Sequence, residues 1–299
     1  MFITAYVNRL ATILRHPSNR GHWLEVARRT LALRLALAGK RPVEFSFVNG
    51  TRIRCWPDSF AGRGLAYYRV FDYPQMAFMQ SFLRGGDSVL DVGANVGVYT
   101  VVSGTLVGPA GHVDAIEALP DTADLLAQNI ALNGLGAQVT VHQLAVGSDD
   151  DSVEFTTTED ATNHMIAAGM PPQRDVVAAT IRIPTGRLDD IATRSSYILG
   201  KIDIEGREWD AFRAAERLLA ARTPPVWLVE VNGALFRYGH EVAPFVSWMG
   251  ERGFDPFMYD PDSMVMRRVR QEVWGDVFFI ARDQSSVVET RIPGLRFSD

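Results

Sequence analysis

The chain has 299 residues, 47% of them apolar, enough to bury a large core in one big α/β domain with appendages. No run of 18 apolar residues occurs, so no membrane span is expected, and the single Cys55 excludes an internal disulfide and favours the reducing cytoplasm. Charge is uneven: residues 1–70 carry 12 Lys+Arg against Glu25, Glu44 and Asp58, a net of +9, leaving −14 for the remainder.

Asn8 and Arg9 interrupt the apolar start and no small-residue cleavage site follows, so no signal peptide is expected. The first 40 residues read as two helical pieces broken near Pro17. Residues 22–38 carry Trp23, Leu24, Val26, Ala27, Leu31, Leu33, Leu35 and Leu37, with Arg28, Arg29 and Arg34 assigned to the other side. Such a basic amphipathic helix suits a membrane surface. It equally suits packing on the main domain or on a homodimer partner, which is the preferred reading. Lys40 and Lys201 are the only lysines, so the arginine excess reflects composition and no nucleic-acid partner is expected. Residues 43–48 and 51–56 flank Asn49-Gly50, the strongest short hairpin signal. Residues 67–83 bring tyrosines and phenylalanines to a helix with Pro74 in its first turn.

Residues 88–97, SVLDVGANVG, then read as an apolar strand, a glycine turn and the start of a helix over 98–106. Gly93 frees the turn, Gly97 allows close approach, and the helix N-terminus offers unpaired N–H groups. Asn95 stands where a dinucleotide fingerprint has its middle glycine, which lets backbone approach a pyrophosphate. Glu117 ends the next strand, 20 residues past Gly97, where such folds place a carboxylate on ribose hydroxyls. A nucleoside with free ribose hydroxyls and no pyrophosphate describes S-adenosylmethionine; a purely structural turn is the alternative.

Downstream, residues 121–133 read as a helix stopped by Gly134, 139–146 as one strand and 149–151 as a turn. Strands at 152–155 and 180–184 flank an irregular loop, 156–177, that holds Asn163, His164 and Met165; His164 is a candidate substrate contact. Ile198, Leu199, Ile202 and Ile204 make a buried parallel strand with Asp203 and Glu205 at its carboxyl end, where open α/β sheets bind ligands. Period two puts Lys201, Asp203 and Glu205 on one side, so an ion pair with Lys201 is expected alongside any chemistry. Glu230 ends the strand 226–231, and with Asp203 and Glu205 it could hold a divalent metal. Lys201 opposes a cation and no histidine is near in sequence, so no metal is predicted. A helix at 244–252, strands at 254–259, 263–268 and 277–281, and a polar tail from Asp283 complete the chain. Trp209 and Phe212 are assigned to core.

The runs DVGANVGVYT (91–100), AIEALPDTADLLAQNIALNG (115–134), QLAVGSDDDSVEF (143–155), LDDIA (188–192) and GKIDIEGREWDAF (200–212) resemble, in order and spacing, the FkbM-type methyltransferases. The resemblance spans residues 67–235. Ala118-Leu119-Pro120 departs from a usual Glu-Pro-Asn-like run, and Asn232 stands where a histidine often follows the fifth strand's glutamate. It implies a class I methyltransferase Rossmann-like α/β fold, a mostly parallel sheet with an antiparallel edge, preceded by N-terminal helices and a hairpin. The domains expected are an appendage at 1–66, the S-adenosylmethionine-dependent domain at 67–282 and a tail at 283–299. Many relatives methylate oxygens of natural products or glycans, and here residues 67–83 would cover the cofactor, with Asp72 and Tyr73 at its methionine end.

The expected cofactor contacts are therefore Tyr73, Asp91, Gly93, Ala94, Asn95, Gly97, Glu117, Ala145, Val146 and Asp203, with Ser148 beside the adenine edge. Asp203 or Glu205 would take the acceptor's proton, and His164, Glu230 and Asn232 would face the acceptor. A non-catalytic cofactor-binding module and a metal-assisted O-methyltransferase remain the alternatives. An NAD-linked oxidoreductase is disfavoured by the missing glycine.

Overall fold

The computed structural model describes residues 12–147, 152–156, 180–270 and 273–299. Helix α1 (Trp23–Ala38) leads into a hairpin of β1 (Val43–Ser46) and β2 (Arg52–Cys55), whose turn places Asn49 at φ 56° as its Asn-Gly sequence requires. Helices α2 (Phe60–Tyr67) and α3 (Tyr73–Phe82) come next. Helix α3 thus begins where the sequence predicts, with Pro74 in its first turn, and Asp72 takes a left-handed conformation (φ 49°) just before it.

The α/β body alternates β3 (Ser88–Val92), α4 (Val98–Val107), β4 (His112–Ile116), α5 (Pro120–Leu132) and β5 (Val139–His142). Short β6 (Ala145–Val146), β7 (Ser152–Thr156) and β8 (Thr180–Gly186) form a separate three-stranded sheet. The single strand expected over 139–146 is therefore two: Leu144 N–H bonds back to the His142 carbonyl at 3.2 Å, the chain bends, and Ala145 pairs with β8. Then come α6 (Leu188–Ile191), β9 (Leu199–Ile202), α7 (Glu208–Arg213), α8 (Glu216–Ala221) and β10 (Val226–Val231). Helix α9 (Val242–Glu251), β11 (Phe254–Asp260), β12 (Val265–Arg268), β13 (Gly275–Ala281), α10 (Ser285–Arg291) and β14 (Arg296–Ser298) end the chain.

The main sheet has nine strands in the order β14-β12-β11-β13-β10-β9-β3-β4-β5. Strands β5, β4, β3, β9 and β10 are parallel, and β13 enters antiparallel beside β10. Strand order reverses between β3 and β9, the switch point at whose carboxyl end such sheets open a ligand crevice. Strand β3 sends Val89 into one core layer and Leu90 and Val92 into the other, so helices cover both faces.

Three sequence expectations change. The first core layer joins Leu33, Phe45, Ile53 and Leu65 to Val89, Val101 and Val113, so packing is continuous across the boundary drawn at residue 66. The segment from Asp283 is no polar tail: Val288, Ile292 and Leu295 are buried, and β14 pairs in parallel with β12. Arg29, assigned to the polar side of α1, is buried, its guanidinium donating to the Leu65 carbonyl at 3.0 Å and the Ser46 carbonyl at 2.6 Å and pairing with Glu25 at 2.8 Å. A guanidinium with two carbonyl partners and a carboxylate can occupy a core-facing position that periodicity alone reserves for apolar residues.

Candidate functional site

At the switch point the chain turns through Gly93 (φ 75°), Asn95 (φ 51°) and Gly97 (φ 90°) before α4. A Cβ on Gly93 would lie 1.8 Å from the Asp203 carbonyl oxygen, so this glycine allows the loops after β3 and β9 to touch. At Gly97 a Cβ would meet the Leu126 side chain on α5 at 2.5 Å, so closeness to a helix, and not to a ligand, fixes that position. The Gly93 and Ala94 N–H groups donate to the Ile116 carbonyl at 2.9 Å, tying the turn to β4. Glu117 is buried and accepts from the Asn95 and Leu119 N–H groups, both at 2.9 Å. Burial raises its pKa against the pull of those donors. An ionised carboxylate has about four acceptor sites, so the two backbone bonds leave acceptor capacity unused.

Beyond β9 the character changes. Lys201 is buried, 3.2 Å from Asp203 Oδ2 and 3.9 Å from Asp91 Oδ1, with its ammonium 5.0 Å from the Tyr99 ring centre. Burial alone would lower its pKa, but Asp203 and Asp91 outweigh that and hold it above the ordinary lysine value. The ion pair expected from the sequence is formed. Glu205 is a non-glycine residue in the left-handed region (φ 58°), a strain of a kind that clusters at functional sites. Buried Glu208 holds this loop, its Oε1 accepting from the Ile204 N–H at 3.0 Å and the Gly206 N–H at 3.1 Å.

Asp203, Glu205 and Glu230 each offer a carboxylate oxygen within 4.8 Å of the others. Glu230 faces Asp276 across the β10–β13 pair, and Asp276 Oδ2 accepts from Gln75 Nε2 at 3.1 Å. Asp72 Oδ2 accepts from the Tyr99 hydroxyl at 2.9 Å. Burial, then neighbouring negative charge, pushes Glu230 up to about 9, Glu205 and Asp72 to about 7 and Asp276 to about 6.

One cavity of about 730 Å³ joins the two halves. Gly93, Ala94, Asn95, Glu117, Ala145 and Val146 line one part, and Asp203, Glu205, Glu230 and Asn232 the other. Three expected contacts lie elsewhere. Tyr73 turns its hydroxyl to Asp262 at 3.4 Å and its ring edge to His16, because the left-handed Asp72 sends the two side chains apart. Asp91 points into the sheet, accepting from the Thr100 hydroxyl at 2.5 Å beside Lys201, and Gly97 packs on α5. His164 and Ser148 lie outside the described residues.

Sequence reasoning missed Asp276, Tyr99 and Arg207 in this wall, and Trp56, Phe60 and Arg63 from the N-terminal segment. Asp276 was findable: an acidic residue opening an apolar strand antiparallel to its neighbours arrives at their carboxyl ends.

A mostly parallel sheet with an antiparallel strand beside it, a glycine turn at the switch point and a carboxylate closing the next strand define a class I methyltransferase α/β fold. The sequence profile of the methyltransferase FkbM domain matches residues 91–256, more than half of the chain, and the chain belongs to that family. Among curated proteins, a protein-L-isoaspartate O-methyltransferase of Ignicoccus hospitalis is 50% identical over 42 residues, 14% of this chain and only 20% of that protein's length. The same enzyme of Methanopyrus kandleri is 27% identical over 198 residues, 64% of this chain and 72% of its own. Among solved structures, methyltransferase FkbM of Methylobacillus flagellatus is 16% identical with a TM-score of 0.38, over 67% of this chain and 47% of that one. An O-methyltransferase of Bacillus cereus in complex with SAH is 14% identical with a TM-score of 0.39, over 69% of this chain and 79% of that one.

Proposed function

We propose that the protein transfers a methyl group from S-adenosylmethionine to a hydroxyl oxygen of a small neutral acceptor, a natural product or a sugar, in the cytoplasm. The observation that carries this reading is the single cavity that joins the glycine turn and Glu117 to Asp203, Glu205 and Glu230. The residues fit the cofactor: Glu117 keeps acceptor capacity after its two backbone bonds, Gly93, Ala94 and Asn95 would hold the methionine end, and Ala145 and Val146 would flank the adenine. When bound, S-adenosylmethionine supplies an electrophilic methyl carbon on a good leaving group.

The chain's own work is to position and to move a proton. Lys201 holds Asp203 in place, and Glu205, with its pKa near neutral, takes the acceptor hydroxyl's proton as oxygen attacks. Trp56 and Phe60 from the N-terminal segment would wall off water above the acceptor. The chemistry of the wall favours a neutral acceptor. The negative charge of this carboxylate cluster disfavours an incoming carboxylate, so a protein L-isoaspartate, the substrate in the relatives' names, is not the acceptor proposed.

A divalent cation on Asp203, Glu205 and Glu230 is the second reading, favoured by their mutual approach within 4.8 Å. We set it below the first because Lys201 already balances Asp203 at 3.2 Å and would oppose a cation there. The test is incubation with methyl-labelled cofactor and hydroxylated small molecules. A base-stable methyl ether is expected; a base-labile ester as the only product would overturn the proposal.

A further inference from the structure

Helix α1 has two apolar faces, and the fold uses one of them. Val26, Arg29, Leu33 and Ala36 are buried against the hairpin and α2. With 3.6 residues per turn, Leu24, Leu31 and Leu35 lie on the opposite side of the cylinder. Their exposure is 89%, 58% and 57%, against the few per cent of the buried face. Arg28 and Arg34 border this leucine stripe on its two sides, both exposed and neither with a carboxylate partner among the described residues. The helix's one acidic residue, Glu25, is turned away and engaged by Arg29 at 2.8 Å and Arg69 at 2.6 Å. Exposed Arg20, Lys40 and Arg41 extend the positive field at both ends of the helix.

We propose that this face seats the protein on the surface of an anionic lipid bilayer, with α1 lying in the interfacial plane. The leucines would enter the headgroup–acyl boundary while Arg28 and Arg34 reach back to lipid phosphates. Charge complementarity selects this occupant. A second copy of the chain would set Arg28 and Arg34 against their own kind with no acidic residue on the face to answer them. A nucleic acid would match the arginines and leave the central leucines in water. An anionic bilayer satisfies both, and the −14 carried by residues 71–299 would turn the remainder of the molecule away from an anionic surface, leaving the N-terminal segment in front. No helix among the described residues is long and apolar enough to cross a membrane, so the contact is one of lying on it.

The experiment is co-sedimentation of the full chain with vesicles of phosphatidylcholine alone and of phosphatidylcholine with phosphatidylglycerol. The protein should pellet with the anionic vesicles, remain in solution with the neutral ones, and release as salt rises to about 0.5 M and screening becomes short-ranged. The triple variant Leu24→Gln, Leu31→Gln, Leu35→Gln should lose vesicle partition by about tenfold or more, with its melting temperature kept because these side chains are exposed. Arg28→Gln with Arg34→Gln gives a second, independent loss that removes no apolar contact. Failure of the parent protein to bind anionic vesicles at low salt would overturn the proposal, as would unchanged binding by both variants. A dimer in light scattering that the leucine variant loses, without vesicle binding by the parent, would make the face a subunit interface instead.

Discussion

Glu117 at the glycine turn is held by two backbone N–H groups at 2.9 Å, whereas Asp203 and Glu205 beyond β9 and Glu230 near the end of β10 crowd one another, with oxygens within 4.8 Å. The first arrangement orients its carboxylate, and the two donors oppose the rise in pKa that burial causes. In the second, burial and like charge push Glu230 to about 9 and Glu205 to about 7, so protons are retained and exchanged near neutrality. On the proposed function the difference is a division of labour within one cavity: the turn would grip the cofactor, and the strand-end carboxylates would handle the proton.

Breaking the point where the halves touch should have the largest effect. Gly93→Val places a side chain where a Cβ alone would already lie 1.8 Å from the Asp203 carbonyl, so both cofactor binding and turnover should vanish. Far-UV circular dichroism should stay close to the parent spectrum. Normal binding by this variant would show that the two loops can part without cost.

Next in size, Glu205→Gln keeps the side-chain shape and removes the proton acceptor, and kcat should fall by roughly 10²–10⁴-fold. If only melting temperature changed, with turnover per folded molecule intact, Glu205 would belong to the structural ion-pair network around Lys201. Removing Glu117 as Ala should weaken S-adenosylmethionine by about 2 kcal/mol through loss of charge-assisted hydrogen bonds, with kcat at saturation little changed.

A separate effect is that of pH on the ligand-free protein. Glu230 has a folded pKa of about 9 against an ordinary 4.5, so the folded state holds a proton that the unfolded state releases in that window. Its contribution to stability is complete below the ordinary value and is lost as pH rises through about 9. Melting temperature should therefore fall across this range, and Glu230→Gln, which cannot titrate, should flatten the slope. Chelator should have no effect on turnover; abolition restored by magnesium would favour the metal reading.

The turn half of the cavity was legible because its signals are local. A glycine turn after an apolar strand and an acid at a fixed distance are written in consecutive residues. In the other half Asp203, Glu205, Glu230 and Asn232 were legible as strand ends and Asp72 through the family resemblance, whereas Tyr99 enters the wall from α4, Arg207 from the loop before α7 and Asp276 through the antiparallel register of β13 against β10. The first two arrivals depend on packing between elements distant in sequence. The same limit explains Arg29: periodicity shows that α1 has sides, but only the carbonyls of Ser46 and Leu65 show which side is inward. At the C-terminus, Val288, Ile292 and Leu295 were spaced for burial, yet surrounding polar residues masked them until β12 offered an edge to β14.

Calorimetric titration of S-adenosylmethionine into Glu117→Ala and Glu205→Gln, alongside the parent, tests the division of labour most directly. Binding should weaken by about thirtyfold or more in Glu117→Ala and stay within about threefold in Glu205→Gln, whose turnover is lost. Full affinity in Glu117→Ala, or collapse of affinity in a folded Glu205→Gln, would contradict it.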